Sequence, residues 1–230
     1  MATLLTVTPV VLDEAIAVVA AHLPPRLRQA VDWQTSDEDS LWRELIASIL
    51  GSAVSFEQAY RALSALDAGG LTSPPTEQNI YQAQLLTCLQ RVGYRFPVSR
   101  SSHIAETAQR IYGTKRTLRT LLLEYSDPMA ARRHLISLCL GLGPKQASLF
   151  LRNIGYKDFA VLDRHLLSYL RFMRLIDENI YTASSLVKYE RLEQLAEENA
   201  LRLSLSLAEF DLAVWVTMRA LNGASARWVS

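Results

Sequence analysis

Lys145 and Asp163 are the two residues of this sequence whose types and surroundings best suit covalent chemistry. Lys145 follows a glycine-rich turn at the start of a predicted helix, and Asp163 lies eighteen residues further on, at the predicted start of the next helix. An uncharged lysine amine is a nucleophile, and the positive end of a helix dipole disfavours its protonated form. A carboxylate can aid deprotonation and stabilise a developing cation. Each residue also has a simpler interpretation: a phosphate contact for Lys145 and a helix N-cap for Asp163.

The turn before Lys145 joins two predicted helices. An apolar-periodic helix ends at Leu140, the turn GLGP follows from Gly141, and the second helix begins at Lys145. Its two glycines allow positive φ angles and a close approach of the backbone to an outside group. The first N–H groups of the second helix have no intrahelical acceptor and therefore form an anion site. Together these elements predict a helix-hairpin-helix, for which the natural anion is a nucleic-acid phosphate.

The segment GLGPKQASLFLRNIGY, followed by VLDRHLLSYL, resembles the helix-hairpin-helix DNA glycosylases that carry a Gly/Pro-rich loop and an aspartate. Within that superfamily it is most similar to the 8-oxoguanine DNA glycosylases without an iron–sulfur cluster, and its two cysteines are too few for a four-cysteine cluster. The strong match covers about residues 132–172, with weaker matches at 42–66 and 210–215. The resemblance implies an all-α, two-lobed fold that binds double-stranded DNA.

The same resemblance implies a mechanism in which Lys145 is the nucleophile and Asp163 its supporting carboxylate. The amine displaces a base at the sugar C1′ atom, forms a Schiff base and permits β-elimination of the 3′ phosphate. The presence of both residues favours catalysis over their simpler interpretations.

Contacts with DNA phosphates are expected from four further residues. The resemblance implies that the backbone amides of Gly141 and Gly143 bind a phosphate, which fixes register without reading sequence. Arg164 and His165 follow the aspartate as they do in the family. For His165 we weigh a phosphate contact against packing and favour the contact.

The turn from Gly51 to Val54 resembles the loop in which relatives often carry a glutamine or asparagine that fills the hole left by an extruded base. Ala53 stands where that polar side chain is expected, so either another residue intercalates or the wedge is weaker. Phe56 and Tyr94 are candidate stacking residues, with burial in the core as the alternative.

Asp211 and Trp215 are the candidates for the base pocket. The segment Phe210–Trp215 resembles the helix that lines this pocket in the small 8-oxoguanine enzymes. Because Asp211 and Trp215 are one helical turn apart, they can share a face. The carboxylate can accept from a base N–H, and the indole can stack on the base. A buried amphipathic helix is the alternative.

The C-terminus departs from the resemblance. The small 8-oxoguanine enzymes often end in a lysine that reaches the oxidised base, whereas this chain continues through Ala224–Ser230. If this tail replaces the lysine, Arg227 can hydrogen-bond polar groups of a bulky base and Trp228 can stack on it. A frayed terminus is the alternative.

Charge is unevenly distributed along the chain. Residues 1–90 carry four Lys/Arg and ten Asp/Glu, whereas residues 91–133 carry nine and three. A basic segment that leads into the hairpin is consistent with a phosphate footprint, and a solvated helix face is the alternative.

Several functional classes are disfavoured by composition. No basic signal-peptide start and no uncharged apolar run of membrane-spanning length is present, so we expect a bacterial or archaeal cytosolic protein with no membrane contact. The two cysteines, Cys88 and Cys139, are expected to be reduced core residues. The four histidines show no metal-like spacing, so we expect no metal and no cofactor. A monomer is expected.

Helical periodicity runs through the whole sequence, and no convincing strand is predicted. A face of apolar residues from Leu41 to Leu50 has a period of 3.6. We expect one glycosylase unit over 1–230, with one lobe from 1–60 and 175–230 and a middle lobe from 61–174 that contains the hairpin at 132–154.

Three functions remain open at this point. The first is a glycosylase with AP-lyase activity that excises 8-oxoguanine. The second keeps the chemistry but takes another modified base, such as glycosylated hydroxymethylcytosine in phage DNA, which would make the protein a defence enzyme. The third is a non-catalytic helix-hairpin-helix DNA-binding protein, against which the joint presence of Lys145 and Asp163 argues.

Overall fold

Helices account for most of the fold in the computed structural model, which describes residues 5–24, 32–75, 77–183, 185–223 and 226–229. Eleven helices lie in these ranges: α1 (Pro9–His22), α2 (Glu38–Leu50), α3 (Phe56–Ala68), α4 (Gln78–Arg91), α5 (Pro97–Tyr112), α6 (Leu118–Leu123), α7 (Pro128–Leu138), α8 (Pro144–Asn153), α9 (Arg164–Phe172), α10 (Leu186–Arg202) and α11 (Leu207–Gly223). The all-α prediction is therefore confirmed. None of these helices is long and apolar enough to span a membrane.

Side-chain caps determine where many of these helices begin. Asp127 accepts hydrogen bonds from two backbone N–H groups at the start of α7. Ser206 and Glu209 form a capping box, because each side chain accepts from the other residue's backbone N–H. Ser55 and Gln58 have the spacing of such a box, but only half of it is formed. Ser55 caps the Gln58 N–H, but the Gln58 side chain reaches the carbonyl of Gly93 instead.

Helix boundaries differ from the predicted ones by a few residues. The first hairpin helix ends at Leu138 rather than Leu140, because Cys139 has already left the helical conformation. The helix α5 begins at Pro97, since proline fits the first helical position.

The chain divides into two compact units, Met1–Ala30 with Tyr156–Ser230, and Val31–Gly155. These boundaries lie at 30 and 155, whereas the lobes expected from the sequence end at 60 and 174. Packing explains the difference: α2 and α3 pack within the middle unit, and α9 packs on α11 in the other. The hairpin with Lys145 thus belongs to the middle unit, and Asp163 belongs to the unit formed by the two ends of the chain.

The middle unit is built around α2, which packs against α3, α5, α6 and α8. The predicted apolar face of α2 is fully buried, from Leu41 to Leu50. Trp42 is buried beside it, stands edge-on to Tyr112 and donates to the Tyr81 hydroxyl. Burial of these large side chains is the main stabilising contribution in this unit.

In the other unit, α11 packs against α1, α9 and α10. A buried polar group joins these helices. The Tyr169 hydroxyl donates to Asp13 at 2.9 Å, and Arg202 pairs with the same carboxylate at 2.7 Å. Burial and the neighbouring negative charge of Asp13 raise the pKa of Tyr169, so its hydroxyl stays a hydrogen-bond donor.

Two short strands correct the expectation of no strands. β1 (Leu5–Val7) and β2 (Ala226–Trp228) pair in parallel and bring the two ends of the chain together. Strands of three residues carry too little periodicity to be recognised in a sequence. Trp228 packs edge-on against Phe172 of α9, with ring centroids 5.0 Å apart.

Both cysteines are free thiols. Cys139 is buried, and burial raises its pKa to about 12, so it stays protonated at neutral pH. Cys88 is half-buried within α4.

The tail contact gives a first testable prediction. Replacing Trp228 by alanine removes the Phe172 contact, so we expect the free energy of unfolding to fall by about 1–2 kcal/mol in urea denaturation. Val229→Ala is the matched control. Val229 is exposed and bonds to Val7 through its backbone, so a change within about 0.5 kcal/mol is expected. Equal stability of both variants would show that the tail is frayed.

Candidate DNA-binding and catalytic site

The hairpin turn has one glycine in the left-handed region, not two. Gly141 has φ +73°, whereas Gly143 has φ −78° and serves as the extended N-cap of α8. Of the two glycines that allow positive φ in this turn, only Gly141 uses it. The turn needs glycine at position 141, since other residues rarely adopt this conformation.

The N-terminus of α8 is left without a side-chain cap. Pro144 occupies the first helical position and has no N–H to satisfy. The amides that follow have no side-chain acceptor, in contrast to the capped starts of α7 and α9. This helix end is therefore suited to bind an anion such as a phosphate.

Lys145 lies in the first turn of this uncapped helix and is half-buried. Within the described ranges, its side chain makes no ion pair and no hydrogen bond. The buried Arg132 of α7 donates to Ser148 of α8 at 3.0 Å and so joins the two hairpin helices.

One face of α5 contacts the hairpin turn and holds its backbone in place. The Leu140 N–H donates to the Thr107 hydroxyl at 3.0 Å, and Arg110 donates to the carbonyl of Leu138 at 3.2 Å. His103 lies directly under Gly141, where an added Cβ would stand 2.4 Å from the imidazole Nδ1. These residues were not predicted from the sequence. Their spacing along one helical face was a usable signal.

The same helix also supports the turn around Ala53. Arg100 donates to the carbonyl of Ser52 at 3.2 Å, and the Tyr94 hydroxyl donates to the carbonyl of Leu50 at 2.5 Å. Ala53 itself has φ +61°, a left-handed conformation that is strained for alanine.

The two candidate stacking aromatics have different environments. Tyr94 is only 4% exposed, so the core alternative describes it better. Phe56 is 61% exposed at the start of α3 and lies against the ring of Tyr60, with the centroids 6.1 Å apart.

Asp163 is the N-cap of α9, as predicted. Its Oδ1 atom accepts from the N–H groups of His165 at 2.8 Å and Leu166 at 3.0 Å. The other oxygen, Oδ2, makes no hydrogen bond within the part of the chain that the structure describes. One atom therefore holds the helix, and the second is available for a substrate.

The residues after Asp163 differ in exposure. Arg164 is exposed at the start of α9, but its Nε atom donates to His165 at 3.3 Å. His165 is 5% exposed and packs edge-on against Trp215, with ring centroids 6.5 Å apart. This burial favours packing for His165 over a direct phosphate contact.

The structure brings the base-pocket candidates of α11 together with α9. Trp215 is half-buried, with His165 at one edge and the guanidinium of Arg219 5.1 Å from its ring centroid. Asp211 lies one turn earlier and is 2% exposed. Trp228 packs on Phe172 in the same unit. The side chain of Arg227 lies outside the described part of the structure.

Much of the basic segment 91–133 serves the fold. At least five of its nine basic residues hydrogen-bond to other parts of the protein: Arg100, Arg110, Arg116, Arg119 and Arg132. These five residues therefore have structural roles that the charge count did not indicate.

An all-helical fold, an uncapped hairpin with a lysine and a capping aspartate on the next helix are features of the helix-hairpin-helix DNA glycosylase class. The family model described as 8-oxoguanine DNA glycosylase matches residues 26–205. Since this match covers most of the chain, the protein belongs to the 8-oxoguanine DNA glycosylase family.

Individual relatives agree with this assignment. The chain is 33% identical over 183 residues to the 8-oxoguanine DNA glycosylase/AP lyase of Saccharolobus islandicus, covering 78% of this chain and 83% of the relative. It is 31% identical over 182 residues to that of Korarchaeum cryptofilum, covering 79% and 81%.

Solved structures show the same similarity. The Methanocaldococcus jannaschii 8-oxoguanine glycosylase/lyase in complex with DNA containing 8-oxoguanine matches with a TM-score of 0.70 and 26% identity, covering 94% of this chain and 92% of that one. The 8-oxoguanine DNA glycosylase of Thermotoga maritima matches with a TM-score of 0.72 and 26% identity, covering 95% and 96%. The resemblance found in the sequence is confirmed.

The cap geometry predicts how α9 responds to substitution. Asp163→Ala removes both cap bonds, so we expect the free energy of unfolding to fall by about 1 kcal/mol. Asp163→Asn keeps an acceptor oxygen and should lose less, which urea denaturation measures. Asp127→Ala and Asp127→Asn, at the similarly capped α7, are the controls. Equal losses for Asp163→Asn and Asp163→Ala would contradict the cap model.

Proposed function

We propose that this protein is an 8-oxoguanine DNA glycosylase/AP lyase in which Lys145 is the nucleophile and Asp163 the supporting carboxylate. Membership in the family and the similarity to enzymes with this activity support the reaction class. The observation that carries the residue assignment is a lysine in the first turn of a helix without a side-chain cap, where its amine has no ion pair with any described residue. Double-stranded DNA with a modified base is the proposed partner, bound by a monomer in the cytosol.

The proposed reaction begins with attack of the neutral Lys145 amine on the C1′ atom of the damaged nucleotide. A C–N bond forms as the glycosidic bond breaks, and the departing base takes the bonding electrons and a proton. The C1′–O4′ bond then breaks, with O4′ taking a proton, and the C1′–N bond becomes a Schiff base. The Schiff base makes the C2′ hydrogen acidic, so its loss expels the 3′ phosphate by β-elimination. Among the described residues, Lys145 has no ion-pair partner that it must leave before attack.

Asp163 contributes charge to the same reaction. As the base leaves, positive charge develops on the sugar, and a carboxylate held in place stabilises it. The cap bonds to Oδ1 fix the orientation of the side chain, which leaves Oδ2 for the substrate or the lysine proton. The structural and the catalytic interpretations of Asp163 are therefore compatible.

We further propose that the base is read by Asp211 and Trp215, and that the turn around Ala53 contacts the distorted duplex. Trp215 offers an aromatic face for stacking, and its position is set by His165 and Arg219. Gly141, Gly143 and Arg164 are proposed phosphate contacts. Arg227 and Trp228 remain candidates for the rim of the pocket.

Substrate choice is tested with duplexes that carry one candidate base each, incubated with protein, treated with alkali and resolved on a sizing gel. We expect cleavage at 8-oxoguanine. Cleavage only at another modified base, such as glycosylated hydroxymethylcytosine, would replace the substrate while keeping the chemistry.

Covalent trapping tests the nucleophile. With an 8-oxoguanine duplex and borohydride, we expect the wild-type protein to be cross-linked to DNA through Lys145, because a Schiff base is reducible. Lys145→Gln should bind DNA but neither release the base nor cross-link. Lys157→Gln, which removes a lysine outside the hairpin, should behave like the wild type. Full base release by Lys145→Gln would rule out the assignment.

The charge of Asp163 is tested by single-turnover excision. Asp163→Asn keeps a capping oxygen but loses the negative charge, so we expect the rate per folded molecule to fall by roughly a hundredfold or more. Asp127→Asn makes the same change at the cap of α7 and should leave the rate unchanged. An unchanged rate for Asp163→Asn would reduce its role to that of a cap.

A further inference from the structure

Two turns of the middle unit that the proposed function assigns to DNA contacts, around Ala53 and at Gly141, are held by the same helix. Arg100 and His103 lie three residues apart on α5, so they share a face. Arg100 holds the turn around Ala53 through the Ser52 carbonyl, and His103 packs under Gly141 of the hairpin turn. Arg100 also bonds to the Nδ1 atom of His103 at 3.3 Å, which connects the two turns through side chains.

We propose that Arg100 and His103 are positioning residues that fix the turn around Ala53 relative to the hairpin turn, so that the duplex is distorted while its phosphate stays anchored. The inference rests on the proposed function, because it assigns these two turns to the distorted duplex and the phosphate. Neither residue is proposed to touch the reacting atoms.

The contact between Arg100 and His103 defines the protonation state of the His103 imidazole. A guanidinium donates hydrogen bonds and cannot accept them, so Nδ1 of His103 must be the acceptor and the ring must be neutral. Burial, together with the positive charge of Arg100, lowers the pKa of His103, while Glu106 opposes this effect. The bridge is therefore formed at neutral pH.

Two independent features of this arrangement require glycine at position 141: the backbone conformation and the contact with His103. Its φ of +73° favours glycine, and any Cβ would collide with the His103 ring. The ring can pack against the backbone only because no side chain intervenes, so the hairpin turn lies directly on α5. Gly70 offers a comparison, because it has φ +66° and nothing within 4 Å of an added Cβ.

The turn around Ala53 needs such support because it is strained. Alanine at φ +61° persists only where the surroundings hold it, and the Arg100 and Tyr94 contacts with Ser52 and Leu50 do so. Loss of Arg100 would release one of these two contacts. A displacement of about 1 Å far from the reacting atoms can slow a reaction by roughly a hundredfold.

The packing of His103 on Gly141 is tested by a double-mutant cycle. Gly141→Ala should lower the melting temperature more than Gly70→Ala, since only the former adds a collision to the φ strain. In a His103→Ala background the extra loss should disappear, which makes the two substitutions non-additive. Additive losses, or equal losses at Gly141 and Gly70, would overturn the packing part of the inference.

The positioning role is tested by comparing two reactions of the full-length protein. One is single-turnover excision of 8-oxoguanine from an intact duplex, which requires distortion. The other is strand cleavage at a preformed abasic site, which has no base to extrude. For Arg100→Ala and His103→Ala we expect excision to fall roughly tenfold or more, while cleavage changes less than about twofold. His103→Asn, which keeps an acceptor for Arg100, should restore part of the excision rate.

Arg43→Ala is the matched control. Arg43 makes a two-pronged contact with Asp67 in the same unit, away from both turns, so its loss should change the two reactions equally through the folded fraction. If Arg100→Ala also lowers both reactions in the same proportion, or neither, the positioning role is wrong. If the wild type neither excises the base nor cross-links to DNA, the proposed function fails, and this inference fails with it.

Discussion

The first turn of a helix exposes N–H groups that need an acceptor, and the helices of this chain meet that requirement in different ways. At the starts of α2, α7 and α10, the side chains of Asp37, Asp127 and Ser185 accept hydrogen bonds from these N–H groups. Within the described residues, no side-chain cap is present at the starts of α4, α5 and α8. At α8 the N-cap is Gly143 and the first helical residue is Pro144, and the proposed function assigns the unsatisfied amides of this helix to an anion.

Asp163 combines both solutions in one side chain. Its Oδ1 atom satisfies the start of α9 as any cap would, and this same bonding fixes the direction of Oδ2. A carboxylate whose orientation is determined by backbone amides needs little reorganisation when charge develops nearby. A capping residue is therefore a good place for a charged catalytic group, and the role of the helix is to orient it.

The parts of the fold that could be predicted are those determined by neighbouring residues. The caps at Asp127 and Asp163, the apolar face of α2 and the hairpin before Lys145 follow from local spacing, and the structure contains them. The pairing of β1 with β2 could not be predicted, because it joins segments about 220 residues apart through strands of three residues. The boundaries of the two units were missed for a similar reason, since they depend on which helices pack together.

The candidate site shows the same division. Lys145 and Asp163 were identified from residue type and position, whereas the contact of His103 with Gly141 depends on α5 packing against a turn 38 residues later. The charge count did not show that Arg132 joins α7 to α8 through Ser148 or that Arg110 donates to the carbonyl of Leu138. A charge count gives the net charge of a segment, whereas the packed structure shows which group each charged side chain contacts.

The proposed function assigns chemistry and recognition to different parts of this chain, which bears on how its substrate can change. The hairpin and the Asp163 cap offer an amine, a proposed anion site and an oriented carboxylate, none of which reads the identity of a base. We propose that base identity is read by Asp211 and Trp215, where Trp215 is positioned by edge-on and cation–π contacts with His165 and Arg219. Edge-on and cation–π contacts still act after a small shift of the indole ring. A buried hydrogen bond, in contrast, is costly to lose when its partner is removed. The pocket can therefore be altered through α11 and the residues after it, while the reaction that follows extrusion of the base stays the same.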